Sequence, residues 1–276
     1  MQEILQLFVI ETFLERLTRS PESANFVLKG GALLAAYGGR RPTRDVDFQA
    51  VALPVDNDAV LTRLVNISLL PSDDGSIFDG TSATATSIRH DDPYQGIRVN
   101  IRGRLATARI DLRIDVGVAD PITPPPTFVT LPRLFGGALQ LLAYPVDMII
   151  AEKIVTAATR GTANTRWRDF WDVVELSRRH RFDSQTLNRS VRSVIRFRRV
   201  AVTSLADVLA GYDSLGQPGW AAWRRRNGLE TSTPSNFGAV LEEFIAFADP
   251  VMREEELPHS WDPHVRRWLS DPDAST

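Results

Sequence analysis

Between Arg109 and Val118 the chain alternates without a slip. Ile110, Leu112, Ile114 and Val116 recur at every second position, and Asp111, Arg113 and Asp115 fill the gaps. Successive side chains of a strand point to opposite faces, so this pattern predicts a half-buried strand with one apolar and one charged face. The text around it, from Ser76 to Val118, is rich in strand-like segments with turn punctuation. Any fold for the chain must therefore supply a sheet with a polar face near this point.

Upstream, apolar residues at helical spacing (Ile4, Leu5, Phe8, Phe13, Leu17) predict an amphipathic helix over residues 4–19. Phe26-Val27-Leu28 reads as a short buried strand, Gly30-Gly31 as a tight turn, and Ala32 to Tyr37 as a small-residue helix stopped by Gly38-Gly39. A second strand begins at Val46, and residues 56–69 look helical. Residues 121–126, PITPPP, form a stiff connector. From about Leu139 onward helical periodicity dominates. Strands early and helices late predict an α/β (α+β) N-terminal domain and a helical C-terminal one.

Composition narrows the function classes. The 276 residues are enough for one large domain or two modest ones. There is no cysteine, which excludes disulfides and thiolate metal sites and fits a reducing cytoplasm. The N-terminus lacks a basic leader, and no apolar run approaches the roughly 20 residues needed to cross a bilayer; the expectation is a cytoplasmic protein without a membrane anchor. Net charge is −2, yet eight arginines and a single acid, Asp183, lie between Arg178 and Arg199. On a helix, Arg189, Arg192, Arg196 and Arg199 would share one face. Such a face suits an RNA backbone, or is simply a solvated surface. Of the 32 basic residues only Lys29 and Lys153 are lysine; either a compact ammonium is required at each or the two fall there by chance.

Three pieces carry chemistry. A strand delivering two glycines, Gly30 and Gly31, to a helix start presents backbone amides that suit phosphate, although a plain turn looks the same. Asp45 and Asp47 stand two apart on a strand and so share a face; a divalent cation would relieve their repulsion, although a solvated pair on an exposed strand end looks the same. Asp115, on the polar face of the alternating strand, could complete a three-carboxylate site for two metals, with Asp111 the competing candidate and a salt bridge to Arg109 or Arg113 the simpler role. Lys153 projects from an apolar helical surface and needs a partner, either a triphosphate or an acid such as Asp169.

Taken together, LKGGALL, RRPTRDVDF, YQGIRVNIRGRLATARIDLRIDVGVADPI, YPVDMIIAEKIVTAATR and RWRDFWDVVEL resemble the DNA-polymerase-β-like nucleotidyltransferase superfamily. More closely, the chain looks like the AbiEii/AbiGii toxin family, including MenT-type toxins. The resemblance implies a polymerase-β-like nucleotidyltransferase domain with a mixed sheet over residues 1–138 and a helical domain over 139–276. It implies Asp45, Asp47 and Asp115 as ligands of Mg²⁺, with Mn²⁺ as an alternative ion. It implies Lys153 facing the triphosphate, Asp169 as an acid at the domain interface with Asp172 following on the same helix, and nucleotide contacts from Lys29, Gly30, Gly31, Arg41 and Thr43. Where the superfamily usually has Gly-Ser, this chain has Gly30-Gly31, which removes a hydroxyl that would help hold phosphate.

The activity so implied is transfer of a nucleoside monophosphate from an NTP to the 3′ end of tRNA, which blocks aminoacylation, with a cognate antitoxin as partner. The alternatives are a transferase of the same fold acting on a small molecule or protein hydroxyl, and a non-catalytic nucleotide-binding regulator.

Overall fold

A computed structural model describes residues 2–40, 43–54, 56–88, 96–118, 121–201, 204–252 and 259–270. Arg41, one of the expected nucleotide contacts, lies outside the described residues. The chain divides into two compact units, one of residues 1–120 and 125–145, the other of residues 121–124 and 146–276.

The first unit is built on a seven-stranded sheet. In chain order its described elements are α1 (Gln2–Arg19), β1 (Phe26–Lys29), α2 (Gly30–Leu33), β2 (Asp45–Ala50), α3 (Asn57–Ser68), β3 (Ser76–Ile88), β4 (Gly96–Leu105), β5 (Ala108–Gly117), β6 (Thr127–Pro132) and β7 (Ala138–Ala143). The spatial order is β3-β4-β5-β2-β1-β7-β6. The pairs β2–β5 and β1–β7 are parallel and the others antiparallel, which makes the sheet mixed.

One face of this sheet is apolar, and α1 and α3 pack against it. Phe13 of α1 meets Phe48 and Phe78 with ring centroids 6.4 Å away in each case, and Val46, Val99, Leu112 and Ile114 are fully buried alongside. Burying each such side chain contributes roughly 2 kcal/mol. The alternation along β5 works as expected: Ile110, Leu112, Ile114 and Val116 are buried, while Arg109, Asp111 and Arg113 are exposed or nearly so. A residue directed to the apolar face must be neutral or paired. Arg16 of α1 accordingly holds Asp74 at 2.5 Å, both side chains buried.

The second unit contains, among the described residues, α4 (Val146–Arg160), α5 (Trp167–Ser177), β8 (Phe182–Asp183), α6 (Ser184–Arg198), α7 (Leu205–Val208), α8 (Tyr212–Arg226), α9 (Phe237–Met252), β9 (Ser260–Asp262) and β10 (Arg267–Leu269). The three short strands form a small antiparallel sheet in the order β10-β9-β8. Its core is aromatic: Phe170, Tyr212 and Phe237 pack edge to face or tilted, and Phe170 meets Phe244 with centroids 5.0 Å apart.

Two local expectations change. Helical periodicity is expected from about Leu139, but residues 138–143 are strand β7, hairpin-paired with β6. ALQLLA is too short to distinguish a strand from a helical turn by periodicity, and Gly136 and Gly137, both at positive φ, turn the chain to make the hairpin. The helix expected over 32–37 starts earlier, at Gly30, and continues as a 3-10 turn to Tyr37, where Gly38 at φ 81° ends it.

Candidate active site

β1 and β2 run antiparallel with Lys29 opposite Asp47. Between them the chain turns at Gly30, whose φ of +70° is the left-handed region that favours glycine. A second constraint acts on the same residue. A Cβ at Gly30 would lie 2.0 Å from Oδ2 of Asp47. The glycine corner is therefore shaped around a carboxylate as well as around a backbone turn. The helix-dipole part of the phosphate expectation weakens, because α2 has only four residues and sums few peptide dipoles.

Lys29 is buried, at 8% exposure. Its ammonium donates to Oε1 of Gln49 at 3.4 Å and lies 5.3 Å from the Tyr144 ring centre. It thus sits among β1, β2 and the segment after β7, close to Asp47 in register.

β2 places Asp45 and Asp47 on the polar face, with Val46 and Phe48 buried on the other. Thr43, itself buried, donates its hydroxyl to the carbonyl oxygen of Asp45 at 3.2 Å and to Oδ1 at 3.3 Å. It fixes the first carboxylate from the residues just before the strand. On the parallel neighbour β5, Asp115 is the register partner of Asp47 and Arg113 that of Asp45. Register partners on adjacent strands share a face, so Asp45, Asp47 and Asp115 belong to one polar patch. Asp111 lies beyond the start of β2 and pairs across β4 with Arg102 instead.

β4 adds a residue that the motifs do not single out. Arg98 is opposite Asp115 and donates to it from both Nε and Nη2, at 2.8 and 2.7 Å. The Asp115 hydrogen bond raises the Arg98 pKa against the opposing effect of burial, and the charges of Asp115, Asp45 and Asp47 add to the rise. One guanidinium thus senses all three acids. Nothing in the sequence distinguishes Arg98 from the other arginines; only the β4–β5 register reveals it. Arg109 and Arg113, the salt-bridge partners that sequence proximity offers to Asp115, are not the residues that hold it.

The donor set suits a hard divalent cation. Asp45 and Asp47 offer carboxylate oxygens two residues apart on one face, and Mg²⁺ takes one or two such groups together with substrate phosphate oxygens. No ready-made cluster of three acidic or imidazole groups exists among the described residues. The third acid, Asp115, is engaged by Arg98.

In the second unit, Lys153 of α4 donates to Oδ1 of Asp169 at 2.6 Å and to Oδ2 of Asp172 at 2.8 Å, both on α5. Arg166 also pairs with Asp169. Asp169 and Asp172 are buried and three residues apart, so they share one face of α5. Burial pushes the Asp169 carboxyl upward, but Lys153 and Arg166 outweigh it and hold Asp169 well below the ordinary carboxylate range. Of the two partners expected for Lys153, the structure shows the carboxylates.

The arginine run is largely engaged within the second unit. Arg178 grips Glu243 at 2.6 and 2.8 Å, Arg179 pairs with Glu175, and Arg181 with Asp262. On α6, Arg192 donates to the Met252 carbonyl at the end of α9, where a cation complements the helix dipole. Arg189, Arg196 and Arg199 are exposed. The expected four-arginine face is therefore three solvent-facing residues and one helix-capping one. Trp220 is fully buried and stacked on Trp223, so it serves the core. No helix among the described residues is long and apolar enough to cross a membrane.

No curated protein sequence matches the chain. Two Helicobacter pylori crystal structures are similar. One is JHP933, 16% identical with a TM-score of 0.47, covering 82% of this chain and 95% of that one. The other is 14% identical with a TM-score of 0.51, covering 89% of this chain and 96% of that one. At such identities the second supports the fold alone. The profile of the nucleotidyl transferase AbiEii toxins of type IV toxin–antitoxin systems matches residues 12–262, nearly the whole chain and both of its units. The chain belongs to the AbiEii nucleotidyl transferase toxin family.

Proposed function

We propose that the chain transfers a nucleoside monophosphate from an NTP to the 3′ end of tRNA, and that Asp45, Asp47 and Asp115 form the reacting centre. The observation that carries this reading is the register of β2 and β5, which sets Asp115 beside Asp47 and two residues from Asp45 on the polar face of one sheet. Membership of a nucleotidyl transferase toxin family supports the NTP substrate and an antitoxin partner.

In the proposed step the terminal ribose hydroxyl attacks the α-phosphorus in line. A new P–O bond forms, the bond to the bridging oxygen of the β-phosphate breaks, and pyrophosphate leaves while the hydroxyl proton passes to water. Asp45 and Asp47 would hold Mg²⁺ or Mn²⁺, whose charge would offset that developing on the phosphoryl oxygens. Thr43 keeps the Asp45 carboxylate oriented through its hydroxyl bond. Gly30 leaves room for Asp47, and its backbone, with Gly31, lies at the same corner for a phosphate oxygen. Lys29, the register partner of Asp47, adds positive charge on the nucleotide side. Arg41, Lys153, Asp169 and Asp172 complete the proposed set. A nucleotide contact from Lys153 would compete with its two carboxylate partners.

The test is incubation of the purified chain with total tRNA and each NTP radiolabelled at the α-phosphate, with and without a divalent ion. Label on RNA that depends on the ion is the expected result. Label on protein or on a small molecule, or ion-independent labelling, contradicts the reading.

A further inference from the structure

The polar face of the sheet does not end at the three acids. It continues along β4 and β5 in rungs set by their register: Arg98 with Asp115, Asn100 with Arg113, Arg102 with Asp111, and Arg104 with Arg109. Side chains two apart on a strand repeat every ~6.8 Å, so the row from Arg98 to Arg104 is about 20 Å long. Arg102, Arg104, Arg109 and Arg113 face solvent, as does Arg44 just before β2. Against these five guanidinium groups stand, among the described residues, two exposed acids, Asp111 and Asp79, the latter opposite Arg102 on β3. A cleft of about 520 Å³ lies against the middle of the row, between Gln6 of α1 and Arg44, Asn100, Arg102, Arg109 and Arg113.

We infer that this arginine row is the track that seats the phosphodiester backbone of an RNA acceptor, leading its terminal hydroxyl to the rung of Asp115 and Asp47. The inference rests on the nucleotidyl transfer proposed above and adds where the acceptor lies. Three observations favour RNA over an acidic protein. The charge is mostly guanidinium, whose planar fork matches phosphate. The row leads directly to the reacting acids, which is where an acceptor chain must end. The rungs also lack the apolar centre and aromatic anchors of a protein interface; Ile77, opposite Arg104, is the one exposed large apolar side chain on these rungs among the described residues.

The experiment compares the wild-type chain with two triple variants, Arg102→Ala/Arg104→Ala/Arg109→Ala on the sheet and Arg189→Ala/Arg196→Ala/Arg199→Ala at α6. Binding of fluorescently labelled tRNA is followed by anisotropy across a salt series, with NTP affinity and transfer kinetics measured in parallel. Each phosphate that is no longer neutralised lowers the slope of log K against log[salt] by about 0.7–0.9. The sheet variant should therefore lose about 2 from that slope and raise KM for RNA by about tenfold or more, with NTP affinity unchanged. An unchanged slope and KM, or a larger effect from the α6 variant, overturns the track. So does loss of antitoxin binding with RNA binding intact, which would assign the face to a protein. A wild type that binds tRNA through these arginines but transfers nothing to it supports the track and removes the proposed acceptor. A wild type that does not bind tRNA removes both.

Discussion

Arg98 holds Asp115 through two parallel hydrogen bonds, from Nε at 2.8 Å and from Nη2 at 2.7 Å. Asp115 is the register partner of Asp47, so the guanidinium competes for the acid that a cation bound nearby would use. Both side chains are partly accessible, 35% for Arg98 and 13% for Asp115. After discounting for that exposure the pair contributes on the order of 1 kcal/mol. Arg98→Met should therefore tighten Mn²⁺ binding to the nucleotide-free protein by about fivefold, read by electron paramagnetic resonance of the free ion. Weaker binding in the variant would show that Arg98 supports the cation site rather than competing with it.

Gly30 carries two separate demands, a φ of +70° and a carboxylate where its Cβ would be. Gly228 carries only the first, with φ +62° and nothing within 4 Å. Gly228→Ala should cost about 1 kcal/mol, the penalty of a left-handed alanine. Gly30→Ala should cost more by about 1–3 kcal/mol, and removing the carboxylate with Asp47→Ala should recover that excess. Denaturant melts of the single and double variants measure the coupling. Equal costs at the two glycines would show that Asp47 moves aside freely.

Asp45 is half-buried and sits at the start of β2. Asp45→Asn keeps the shape and an acceptor for the Thr43 hydroxyl while removing a charge. Stability should change by less than ~0.5 kcal/mol, and transfer should fall by about a hundredfold or more. A thermal melt and a single-turnover assay on one preparation separate the two effects. Transfer at the wild-type rate would remove Asp45 from the reacting centre.

Asp169 gives the second unit an acid limb. Its folded pKa lies below the ordinary 3.8 because Lys153 and Arg166 outweigh the cost of burial. A depressed carboxyl contributes stability that is present above the unfolded value and lost as pH falls through the folded one. Unfolding temperature should therefore decline as pH drops below about 4. Asp169→Asn should flatten that decline while lowering stability at neutral pH, where Lys153 keeps only Asp172 of its two α5 partners. Parallel slopes for the two proteins between about pH 5 and pH 2 would contradict the assignment.

β5 is legible in the sequence because its alternation admits one reading, and the Asp45–Asp47 pair stands out because strand period alone puts both on one face. Sequence cannot choose between Asp111 and Asp115, since both occupy the polar face of β5. What separates them is the register of β2, which begins opposite Arg113 and so gives Asp115 a β2 partner and Asp111 none. Arg98 is hidden for the same reason: its role follows from its rung partner, and a rung is set by register between segments. For Lys153 a phosphate and a carboxylate partner are equally compatible with the helix pattern, and the spacing of Asp169 and Asp172 on α5 supplies two carboxylates at once. Helical spacing overstates the α6 face because it aligns Arg192 with its neighbours, while the actual partner of Arg192, the Met252 carbonyl, lies 60 residues away. β7 escapes detection because six apolar-rich residues fit either period.

The most direct test of the central claim, that β2 carries a cation site at which nucleotide is held, is anomalous diffraction from a crystal grown with Mn²⁺ and a non-hydrolysable NTP. The account predicts a manganese peak coordinated by Asp45 and Asp47, with a phosphate oxygen of the nucleotide in its shell. A nucleotide bound elsewhere, or a manganese peak that touches neither carboxylate, would contradict it.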